Sequence, residues 1–82
     1  MIIDTGNKYI HFELKYQLGK TQVWSVVNKS SGITLADIRW YGPWRQYVFT
    51  PVEGIGSFYN TGCLKSIEEF MARLNMEKSI VA

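Results

Sequence analysis

The clearest signal in the chain is a period of two. Ile10, Phe12, Leu14, Tyr16 and Leu18 alternate with His11, Glu13, Lys15 and Gln17, which predicts a strand with one buried and one wet face. Gly19-Lys20 follows as a two-residue hairpin turn of the Gly-X kind, and a second strand is expected over about 21–28. Pairing carried across that turn puts Val23, Ser25 and Val27 on the apolar side with Tyr16, Leu14 and Phe12. Trp24 and Val26 then join Lys15 and Glu13 on the other side. Lys29-Ser30-Ser31-Gly32 reads as a polar loop. A third strand is expected over about 33–41 and a fourth over 44–50, ended by Pro51, which has no N–H to give a ladder.

Gly42-Pro43 joins this second pair of strands. A type II′ turn suits it, because Gly takes the positive φ and Pro follows at the φ its ring imposes. Such a turn sets Tyr41 opposite Trp44, Trp40 opposite Arg45, Ile38 opposite Tyr47 and Ala36 opposite Phe49. Beyond Pro51, Glu53-Gly54-Ile55-Gly56 reads as a loop, and residues 57–59 as a short edge strand or a covering segment. The spacing then changes. Leu64, Ile67, Phe70, Met71 and Leu74 recur every three or four residues, an apolar helical stripe of about fifteen residues. Asn60 or Thr61 supplies the N-cap, and Lys65, Glu68, Glu69 and Arg73 face outward. Residues 1–8 and 76–82 are expected to be loose ends. The fold class is therefore α+β in a single domain, 1–82. It is an antiparallel four-stranded meander, five-stranded if 57–59 joins it, with one C-terminal helix packed on one face.

One helix covers one side of such a sheet. The same register gathers Trp24, Val26, Leu35, Tyr41, Trp44 and Val48, with Lys15, Arg39, Gln46 and Asp37, on the uncovered side. A face that apolar marks an interaction surface. The candidate binding residues are Arg39, Tyr41, Trp44, Arg45, Gln46 and Tyr47, where flat rings that stack sit beside groups that contact phosphates. Each also has a structural reading. Strand aromatics such as Trp24 and Trp40 pack, and Arg45 can pair with Asp37 or Glu53 or lie over Trp40 as a cation–π partner.

Composition narrows the class further. The chain of 82 residues is 46% hydrophobic and 20% charged, hence globular rather than disordered. Its stability is expected at about 4–12 kcal/mol. A net charge of +2 permits a polyanionic partner without demanding one. Cys63 is the single cysteine, which excludes an internal disulfide and a cysteine-only metal site; it reads as a small buried hydrophobe. His11 has no partner at metal-binding spacing, and Glu68-Glu69 is a solvated helix face. The Gly54-Ile55-Gly56 loop lacks the Lys-Ser/Thr of a phosphate loop. No catalytic residue, metal or cofactor is expected. Residues 1–7 lack a basic n-region and a long apolar run, and no stretch approaches the ~20 apolar residues that span a bilayer. The expectation is a cytoplasmic protein with no membrane partner.

The central run and helix resemble a group of small, functionally uncharacterised proteins of bacteria, phages and prophages. The shared pattern is a strand ending in Trp-Tyr, a turn, Trp-Arg-Gln-Tyr-x-Phe-x-Pro, a short loop and a helix led by Cys-Leu. Here those positions are Trp40, Tyr41, Trp44, Arg45, Gln46, Tyr47, Phe49, Pro51, Cys63, Leu64, Ile67 and Phe70, within roughly residues 21–75. The resemblance implies a bacterial or phage setting and carries no activity. Three functional readings stay open: a non-catalytic binder of single-stranded nucleic acid, a phage accessory protein that binds or inhibits a host protein, and a sheet face that closes a homodimer.

Overall fold

The computed structural model describes residues 1–54 and 58–81, with side chains as far as Lys78. Five antiparallel strands form one sheet in chain order. They are β1 (Ile2–Ile3), β2 (Ile10–Leu18), β3 (Thr21–Asn28), β4 (Thr34–Tyr41) and β5 (Gln46–Pro51), followed by the helix α1 (Thr61–Val81). The α+β meander with its C-terminal helix is present, but the fifth strand comes from the opposite end of the chain. β1 sets Ile2 against Glu13 and Ile3 against Phe12, and the Leu14 N–H donates to the Met1 carbonyl at 2.9 Å. Part of the expected loose end is thus a sheet edge. After it, Asp4 accepts from the Gly6 N–H at 2.9 Å and from Lys29 Nζ at 3.0 Å, bonds that hold its carboxyl below the usual aspartate range. Phe58 and Tyr59 form no strand, and residues 55–57 of the expected loop and edge segment lie outside the described residues.

The β2–β3 hairpin corrects the expected faces. Next to the Gly19-Lys20 turn the pairs are Leu18–Thr21, Gln17–Gln22 and Tyr16–Val23, as a two-residue loop requires. The register then slips by one at Lys15, so that Leu14 meets Trp24 and Phe12 meets Val26. One extra residue in a strand transfers everything beyond it to the other face. Trp24 and Val26 therefore lie under the helix, and Val23, Ser25 and Val27 lie on the open side. A second irregularity separates Val26–Ala36 from Val27–Thr34, which leaves Leu35 unpaired in that ladder. Leu35 is buried in the helix-side core, not on the open face.

The core forms where α1 crosses the sheet. The Phe70 ring stacks on Phe12 at 4.2 Å between centroids, nearly parallel, and meets Trp24 edge-on at 5.0 Å. The buried helical stripe is Cys63, Ile67, Phe70 and Leu74. Leu64, expected in that stripe, is exposed. Asn60 is the N-cap, with its Oδ1 accepting from the Cys63 N–H at 2.8 Å and its carbonyl from the Leu64 N–H at 3.0 Å. Asn60→Ala should lower the unfolding free energy by about 1 kcal/mol in urea titrations; no change would show that the first turn finds its acceptors elsewhere. The helix does not stop near residue 75 but runs on to Val81, which brings its last turns to the β2–β3 and β4–β5 end of the sheet.

The open face is covered by its own charges. Lys15 on β2 and Asp37 on β4 flank β3, yet Lys15 Nζ reaches Asp37 Oδ2 at 3.5 Å. Its aliphatic stem therefore crosses β3, apolar part inward and ammonium outward. Arg39 meets the same oxygen at 3.3 Å, and His11 Nε2 contacts Glu13 Oε2 at 2.7 Å. Beneath these groups Val23, Ser25 and Val27 are only 2%, 7% and 4% exposed. Much of the apolar slab expected there gives way to ion pairs, because the Lys15 slip moves Trp24 and Val26 to the core and Leu35 joins them at the second irregularity.

Candidate functional site at the second hairpin

The chain between β4 and β5 folds as a four-residue loop, not a two-residue one. The Arg45 N–H donates to the Gly42 carbonyl at 3.1 Å, closing a single 3-10 turn with Pro43 in its first half. Pro at the second position of a type I turn is where its fixed φ fits best, and that preference outweighs the II′ alternative. The positive φ then falls on Arg45, at 53°, and not on Gly42. Closing pairs become Tyr41–Gln46, Trp40–Tyr47, Arg39–Val48 and Ile38–Phe49. The register differs from expectation by two residues, an even number, so the residues paired across this hairpin keep their expected faces.

This geometry sorts the six candidate residues. Tyr41 and Trp44 are exposed and meet edge-to-face at 5.2 Å and 90°. Trp44, at 66% exposure, stands in the loop and not in a strand. Arg45 follows it, exposed and with no ionic partner among the described residues. It pairs with neither Asp37 nor Glu53, and the cation over Trp40 is Lys78, at 5.3 Å from the ring centroid. Gln46 is exposed at the start of β5, and Arg39 is exposed but engaged by Asp37. Tyr47 leaves the set. It is 4% exposed, its ring packs edge-on against Trp40 at 5.5 Å, and its hydroxyl accepts from the Gln22 N–H at 3.1 Å. Trp24 and Trp40 are packing residues, as their strand positions suggest.

Beyond β5, Asn75 Oδ1 accepts from the Tyr47 N–H at 2.7 Å. Trp44, Gln46, Phe49 and Met71 border a shallow groove between this strand and the helix. Sequence reasoning missed the contribution of Lys20 and Lys78 to this end of the molecule. Lys20 follows from the meander, which places both hairpin turns at one end, whereas Lys78 lies on helical turns beyond Asn75, where the apolar stripe no longer marks the helix. Among the described residues four Lys or Arg side chains lack a carboxylate partner: Lys20, Arg45 and Lys78 at the hairpin end, and Lys8, over the Tyr9 ring, at the other. Among the same residues no three His, Cys, Asp or Glu side chains gather to hold a metal ion, and no helix is long and apolar enough to cross a membrane.

The chain is similar to the "Uncharacterized 9.3 kDa protein" of Acholeplasma phage L2. The two are 32% identical over 74 residues, a match covering 89% of this chain and 92% of that protein. No protein-family model matches the chain, and no solved structure matches it.

Proposed function

The chain belongs to the family of that phage protein, and on this premise we propose a non-catalytic protein that binds single-stranded nucleic acid at its second hairpin. Arg45 carries the reading. A non-glycine residue in the left-handed region costs about 1–2 kcal/mol, and its guanidinium has no ionic partner among the described residues to offset that. The hairpin uses a left-handed residue here to close its turn, and filling that place with arginine instead of the cheaper glycine suits a side chain that acts on something outside the chain. Beside it the Tyr41–Trp44 pair offers an exposed indole for a base to stack on, and the unpaired cations suit a phosphate backbone. Arg39 and Gln46 border the pair as further contacts.

The test is a tryptophan fluorescence titration with an oligothymidylate at low salt. Quenching is expected, with affinity falling steeply as salt rises. Arg45→Gly should move stability and affinity in opposite directions: about 1 kcal/mol more stable in urea, yet weaker on the oligonucleotide. Absence of quenching with any oligomer ends this reading. It would favour a protein partner, which Trp, Tyr and Arg serve equally well as anchors. A homodimer closed through the open sheet face would have to bury its Lys15–Asp37–Arg39 ion pairs, and sedimentation at micromolar concentration tests it.

A further inference from the structure

Beneath the β2–β3 turn, where the end of α1 passes, lies a hollow of about 130 Å3 bordered by Gln17, Lys20, Gln22, Tyr47, Glu77 and Lys78, with Leu74 as its one aliphatic neighbour. Its polarity follows from a one-way series of hydrogen bonds. The Trp24 indole can only donate, and it donates to Gln22 Oε1 at 2.9 Å. This fixes the Gln22 amide, whose Nε2 donates to Gln17 Oε1 at 3.1 Å. Gln17 Nε2 in turn donates to the Gly19 carbonyl at 3.0 Å. Both amide oxygens already accept, while each Nε2 carries a second hydrogen that this series does not use. Tyr47 Oη accepts from the Gln22 N–H, so its own hydrogen is left to donate. Lys20 and Lys78 add two ammonium groups without carboxylate partners among the described residues. Glu77, the one acid in the lining, is drawn toward Arg73 at 3.7 Å.

A hollow lined by oriented donors and two cations calls for an acceptor-only, negatively charged occupant. We infer that it is an oxyanion site of the phosphate class. The volume lies well below the roughly 300 Å3 at which pockets for drug-sized ligands begin, so the occupant is a single charged group and not a whole nucleoside. The inference is independent of base stacking, because Trp44 borders the other groove, across Tyr47 and the helix.

The experiment is a titration of the 15N-labelled protein with inorganic phosphate, against chloride at matched ionic strength, and separately with an oligothymidylate. The side-chain amide signals of Gln17 and Gln22 are expected to shift together and saturate. Lys20→Ala combined with Lys78→Ala should weaken the midpoint about tenfold or more, since both charge-assisted contacts are lost. Lys65→Ala, an equally simple loss of surface charge, should leave it unchanged. Saturation by phosphate alone identifies a free oxyanion, and saturation by the oligonucleotide alone identifies a backbone phosphodiester; either supports the site. Shifts no larger than those with chloride in both titrations, or an unchanged midpoint in the double variant, overturn it. If the oligonucleotide quenches Trp44 while both glutamine signals stay still, the stacking site stands and this one falls.

Discussion

Phe70→Ala should lower the unfolding free energy by about 3–5 kcal/mol, the largest stability loss expected from a single truncation in this chain. The ring is the main bridge between helix and sheet, lying flat on Phe12 and against the edge of Trp24. Both neighbours are themselves almost wholly buried, so little can collapse into the space left behind. Set against a total stability of about 4–12 kcal/mol, such a loss leaves the variant at or near its threshold. Urea unfolding followed by tryptophan emission reads it directly. Phe58→Ala is the matched control: at 96% exposure its ring holds nothing, and the change should stay within about 0.5 kcal/mol. A loss below about 1 kcal/mol at Phe70 would mean that the helix is held by other contacts.

Trp44→Ala is expected to do the reverse, sparing the fold and removing the function. The side chain stands in a loop, is mostly exposed and touches Tyr41 edge-on, so stability should change by no more than about 0.5–1 kcal/mol. A base stacked on an aromatic is worth about 1–3 kcal/mol, which corresponds to a loss of roughly five- to 150-fold in oligonucleotide affinity. Fluorescence anisotropy of a labelled oligothymidylate measures this without relying on the removed indole. An unchanged affinity would remove the second hairpin as the contact surface. A parallel fall in affinity and stability would mean that Trp44 acts through the fold.

The alternation in β2, the aromatic strands and the three-and-four spacing of α1 made the class of fold legible in residue order alone. What stayed hidden was where a ladder slips. Nothing at Lys15 or Leu35 announces an extra residue, since neither is a glycine and each continues a plausible pattern; the slip is decided by which rings the helix can bury. Trp24 shows this. Its turn-based register sends it outward, but packing with Phe70 draws it in, and the local backbone yields. At the second hairpin the outcome was kinder, because an error of two residues preserves sides. Tyr41 and Arg39 kept their places, Trp44 and Arg45 moved into the loop, and only Tyr47 was lost from the candidate set. The glutamine series under the first turn was out of reach, for its polarity depends on an indole whose direction the slip determines.

The Asn75–Tyr47 bond has a consequence for how the molecule tolerates company. In an antiparallel pair the amides of one strand point alternately toward and away from their neighbour. With Tyr47 directed away from β4, the same outward direction falls to Phe49 and position 51. Asn75 already occupies the Tyr47 N–H, and Pro51 has no hydrogen to offer, which leaves Phe49 as a solitary donor along the rim. A stray extended peptide meeting this border would find few donors to pair with, so this edge of the sheet resists extension without a single charged residue on β5.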